Sequence, residues 1–78
     1  MNEQKIKQDN IKLGANIRRI RKQKNIGQTQ LAVTLQLMGI DMTRECLVKI
    51  ERGIQHIYAS QLAAIKTALE TTYDELFS

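Results

Sequence analysis

Arg44, Glu45, Lys49 and Arg52 follow Thr43 at spacings that collect charge on one side of a helix. At about 100° per residue these four, with Val48, span an arc of about 140°, while Leu47 and Ile50 point the opposite way. Guanidinium and ammonium groups donate hydrogen bonds and a carboxylate accepts them. Such a face can therefore address a surface that displays donors and acceptors in a fixed pattern. A helix about 10–12 Å across with its side chains fits the major groove of B-form DNA, where each base pair presents its own pattern. The same arc also fits a solvated helix face with no ligand, as on most small helical domains.

The elements that would position these groups have local signals of their own. Thr43 is a candidate N-cap, and Gly53 can adopt the left-handed conformation that ends a helix, so the charged helix spans about nine or ten residues. A preceding helix begins after Gly27 and carries Gln28, Thr29 and Gln30 in its first turn. Its neutral donors and unpaired backbone amides face any approaching anion, for which phosphate is the natural candidate. Upstream, Leu13, Ile17 and Ile20 form one apolar stripe of a helix expected from Asp9 or Asn10 to Lys24, with Arg18, Arg19 and Lys22 turned away from it. Downstream, Leu62, Ile65 and Leu69 mark a helix starting at Ala59 or Ser60, with Ile57 plugging the core from the loop before it. Thr72 and Glu75 form a capping box for a short last helix. Residues 1–10 read as a flexible basic arm or helical extension, and 11–78 as the DNA-binding domain. The chain has no proline, repeat or low-complexity linker to suggest a further boundary.

Composition narrows the function classes. The 78 residues suit one small domain, and with 42% hydrophobic residues but three aromatics the core must be mainly aliphatic. Charge is graded along the chain. Residues 1–26 hold eight Lys or Arg against Glu3 and Asp9, residues 27–56 balance three against three, and residues 57–78 set Lys66 against Glu70, Asp74 and Glu75. A basic first third suits a molecule that turns one side to a polyanion, and equally a solvated helix face. No apolar run approaches membrane-spanning length and no signal-peptide pattern is seen, so a cytoplasmic protein without membrane contact is expected. A lone Cys46 and a lone His56 make neither a zinc site nor an internal disulfide. Cys46 reads as a small packing residue in a reducing compartment, with a redox switch as the alternative. Without a glycine-rich phosphate loop, paired carboxylates or a nucleophile and base, neither catalysis nor a cofactor is expected.

Gln28, the Leu31-Ala32 pair, Leu47, the run Lys49-Ile50-Glu51-Arg52-Gly53, and Leu62, Leu69 and Leu76 together resemble the phage-repressor and Cro type of helix-turn-helix domain, the xenobiotic-response-element family. The resemblance covers about residues 11 to 77. It implies an all-α, five-helix phage-repressor-like DNA-binding domain, usually a transcription regulator and often a homodimer. It also implies individual roles: Arg44, Glu45 and Lys49 toward base edges, and Gln28, Thr43, Arg52, Gln55 and His56 toward phosphate. In base terms, Arg44 would donate to guanine O6 and N7, Glu45 would accept from cytosine N4, and Lys49 would meet a guanine or a phosphate. Arg21 and Glu51, each at the margin of its helix's apolar face, are expected to form a bidentate ion pair. Tyr73, Leu76 and Phe77 are expected at a dimer contact, or else closing the domain's own core.

One departure from the family pattern is visible. Thr43 follows Ala32 by eleven positions, and the extra residues should lengthen the second helix by about a turn and widen the connection through Gly39. The expected function is a repressor or dual-acting switch on a double-stranded, partly palindromic operator with half-sites about 34 Å apart. A protein-interaction or antitoxin-like module on the same fold, and a controller protein of a restriction-modification operon, are the alternatives. With little chain outside the DNA-binding unit, no small-molecule ligand is expected.

Overall fold

Leu13, Ile17 and Ile20 form the buried stripe of the first helix, α1 (Leu13–Gln23). In order, the computed structural model, which describes residues 3–7 and 12–78, has β1 (Lys5–Ile6), α1, α2 (Gln28–Leu37), α3 (Arg44–Glu51), β2 (Ile57–Tyr58), α4 (Ala59–Ala68) and α5 (Tyr73–Leu76). The five helices enclose one aliphatic core. α3 packs against α1 and α2, α4 against α2, and α5 against α1. The expected start of the first helix at Asp9 or Asn10 lies outside the described residues. Lys12, with no side-chain cap bond, is non-helical at φ −84° and ψ 48°, so α1 opens at Leu13.

Four helices end in the same way. Asn25, Gly39, Gly53 and Glu70 take positive φ (58°, 85°, 77° and 52°) just past α1, α2, α3 and α4. In each case the next residue's amide donates back into the last turn: Ile26 to Arg21, Ile40 to Leu35, Ile54 to Lys49 and Thr71 to Lys66. This is the Schellman closure, which satisfies carbonyls that the helix leaves unpaired. It also turns the chain sharply at each of these helix ends.

The long connection from α2 to α3 is ordered by its last apolar residue. Met42 is fully buried, and Gln36 Nε2 donates to the Met42 carbonyl at 2.7 Å. Of the extra residues, Leu35, Gln36 and Leu37 extend α2 and the rest form a tethered loop, so Thr43 is delivered to the start of α3 from a fixed point.

Two expectations change. Within the segment expected as a loose arm or helical extension, Lys5 and Ile6 pair antiparallel with Tyr58 and Ile57. The Ala59 amide donates to the Gln4 carbonyl, and the Ser60 amide donates to the Glu3 carboxylate. Those Ser60 contacts hold the Glu3 carboxyl below its ordinary pKa, against a small opposing effect of burial. The second concerns Leu76, for which a dimer contact and the domain's own core were both open and which is found fully buried against α1. Its carbonyl accepts from the buried Asn16 Nδ2 at 2.8 Å, which fixes α5 so that Leu76 is its inward side chain. Tyr73 and Phe77 stay exposed, at 44% and 42%.

Candidate nucleic-acid interface

α3 is held as a platform from beneath. Leu47 and Ile50 are fully buried, and at its first turn the Thr43 hydroxyl accepts the Cys46 amide at 3.1 Å. At its other end Glu51, 5% exposed, is bound on both carboxylate oxygens. Arg21 Nε donates to Oε2 at 2.7 Å, Arg21 Nη2 donates to Oε1 at 2.9 Å, and Gln28 Nε2 donates to Oε1 at 3.1 Å. The third arm of Arg21, Nη1, donates to the Ile26 carbonyl at 2.7 Å. One buried guanidinium therefore ties α1 to α3 and to the turn that opens α2. The fork geometry matches carboxylate in a way an ammonium could not.

The opposite side of α3 is open. Arg44, Glu45, Lys49 and Arg52 are all exposed. The Arg21–Glu51 pair is the one ion pair found among the described residues, so none of these four is neutralised by a neighbour there. Fixed backbone, free donors and a free acceptor are what a face needs to meet patterned hydrogen-bonding groups.

The same architecture occurs in a restriction-modification controller protein. The high-resolution crystal structure of C.AhdI from Aeromonas hydrophila superposes with a TM-score of 0.74 and 27% sequence identity, over 86% of this chain and 94% of that chain. No family model matches the sequence, and no curated protein matches it. The fold is thus a small helical one with a helix-turn-helix formed by α2 and α3.

The other residues singled out by sequence have settings of their own. Thr43 is exposed at the start of α3, and its hydroxyl hydrogen is left over from capping. Gln28 is half-buried, with one side-chain N–H committed to Glu51. Gln55 is half-buried and its Nε2 turns back to Cys46 Sγ at 2.9 Å, so the thiol sits under a polar cover on the margin of the core. His56, also half-buried, meets the Tyr58 ring edge-on with centroids 5.1 Å apart. Met42 escaped the sequence reading: it gave no periodic signal, since its burial depends on the α2–α3 loop. Arg18, read from sequence only as turned away from the apolar stripe, precedes Arg21 by three positions and so lies near it on α1.

Among the described residues no cluster of His, Cys, Asp and Glu is placed to hold a metal ion. Nor is any helix there long and apolar enough to cross a membrane.

Proposed function

We propose that this chain is a sequence-specific double-stranded DNA-binding protein and transcription regulator, acting as a homodimer in the cytoplasm, with α3 in the major groove. The observation that carries the reading is the exposed and uncompensated Arg44, Glu45 and Lys49 face on a helix locked from below by the core and by Glu51. In this reading Arg44 donates in a fork to guanine O6 and N7, Glu45 accepts from cytosine N4, and Lys49 adds a guanine or phosphate contact. Gln28, Thr43 and Arg52 lie where backbone phosphates pass, with Gln55 and His56 at the edge of that surface. Tyr73 and Phe77 supply the dimer contact.

The likeness to a restriction-modification controller favours that role over a phage-type repressor. It leads to the expectation that the preferred DNA sequence lies beside restriction and modification genes. Selection of bound duplexes from a random pool, followed by a salt titration of the winner, tests the proposal. Enrichment of a partly palindromic site with half-sites about 34 Å apart, and affinity that falls steeply with salt, support it. No enrichment, with affinity for any duplex weak and insensitive to salt, refutes it in favour of a protein-binding module.

A further inference from the structure

We propose that a cleft on the flank of α3, lined by both Arg18 and Arg52, seats one backbone phosphodiester of the bound duplex, and that Arg18 contacts DNA directly. The assignment rests on the DNA-binding reading above and adds to it a residue from α1.

The cleft, of about 420 Å³, is lined by Arg18, Gln28, Val48, Glu51 and Arg52. Its charge balance is decided by which groups are already satisfied. Glu51 is its acidic member, and both of that carboxylate's oxygens are occupied, by Arg21 from behind and by Gln28 from the side. The buried pair is neutral as a unit. Arg18 and Arg52 are exposed and carry no ion pair with a described residue, so the cleft holds two uncompensated guanidinium groups. A guanidinium fork matches two oxygens of a phosphate, and two forks lining one cleft can share such an anion.

Position selects the source of that anion. Val48 belongs to α3 and forms part of the cleft wall, so an anion seated there lies directly beside the helix. A helix about 10–12 Å across fills a major groove about 12 Å wide, which leaves the strand backbones along both of its flanks. The cleft faces one of them. Arg52 reaches it from the end of α3 and Arg18 from the middle of α1, so the phosphate would fix the roll of the whole domain about the α3 axis.

The experiment compares the parent, Arg18→Ala and Arg18→Lys on the selected duplex and on a scrambled duplex of equal length, across about 50 to 200 mM salt. Arg18 is exposed, so Arg18→Ala is expected to melt with the parent. The assignment predicts a loss of about three- to tenfold in affinity for both duplexes alike, and a salt slope smaller by about one. Arg18→Lys keeps the charge and should retain the slope with part of the affinity. If the parent binds and Arg18→Ala matches its affinity and slope, the assignment is overturned while the DNA-binding reading stands. A loss confined to the selected duplex also overturns it, because a phosphate contact is blind to sequence. A parent that binds neither duplex overturns the underlying reading first.

Discussion

Removing the Glu51 carboxylate should be the most damaging single change outside the aliphatic core. In Glu51→Ala the guanidinium of Arg21, a residue 5% exposed, loses two of its three hydrogen-bond arms and its counter-charge, keeping the Ile26 carbonyl. Stranding one partner of a buried pair costs about 3–5 kcal/mol. Unfolding entropy of about 2.1 cal/mol/K per residue gives about 0.16 kcal/mol/K for 78 residues, so a loss of 3 kcal/mol lowers Tm by about 18 °C. Thermal and urea unfolding followed by circular dichroism measure it. A second variant separates the cost of stranding from the worth of the pair. Replacing both partners, Arg21→Met with Glu51→Leu, removes the charge along with its counter-charge and should recover most of the loss, because an apolar substitute for a buried pair is often neutral. A Tm in Glu51→Ala within a few degrees of the parent, or a double variant no more stable than Glu51→Ala, would refute the reasoning.

Three further outcomes are expected. Met42→Ala empties a fully enclosed site under the α2–α3 loop and should cost about 2–4 kcal/mol by urea unfolding; a loss below about 0.5 kcal/mol would mean that the loop is not anchored there. Sedimentation equilibrium should find Tyr73→Ala with Phe77→Ala monomeric where the parent is dimeric, with little change in monomer stability, whereas unchanged association would place the dimer contact elsewhere. Glu70→Gly relieves a non-glycine residue held at φ 52° and should stabilise by about 0.5–1 kcal/mol, read as a higher urea midpoint; a lower midpoint would mean that the Glu70 side chain matters more than its backbone.

The α3 helix was legible because its signals are local. Thr43 and Gly53 bracket it, and Leu47 and Ile50 set its buried side, so the exposure of Arg44, Glu45 and Lys49 followed from the wheel. The same holds for the stripe of α1 and for α4, whose apolar residues recur at helical spacing. What depends on distant partners was not legible. Two residues, Lys5 and Ile6, become a strand by meeting Ile57 and Tyr58 across more than fifty positions, and nothing in their own sequence demands it. Met42 sits in a stretch without period, and its burial follows from how far the preceding helix carries the chain. Leu76 illustrates a third limit. In a four-residue helix any apolar residue can serve as the inward one, and the packing of α5 on α1 with the Asn16 bonds to the Leu76 and Ser78 carbonyls decides which does. Gln55 and His56 follow α3 directly, but the groups that engage them, the Cys46 thiol in the first turn of α3 and the Tyr58 ring of β2, could not be read from their own neighbourhood.

The account stands on α3 discriminating among base pairs through its open face. The direct measurement is the affinity of the parent and of Arg44→Ala for the selected site and for versions in which each position of a half-site is replaced in turn by the other three bases. At one guanine position the parent should lose about 1–3 kcal/mol on replacement, while Arg44→Ala binds more weakly and treats all four bases there alike. Full discrimination at every position by Arg44→Ala would contradict the claim.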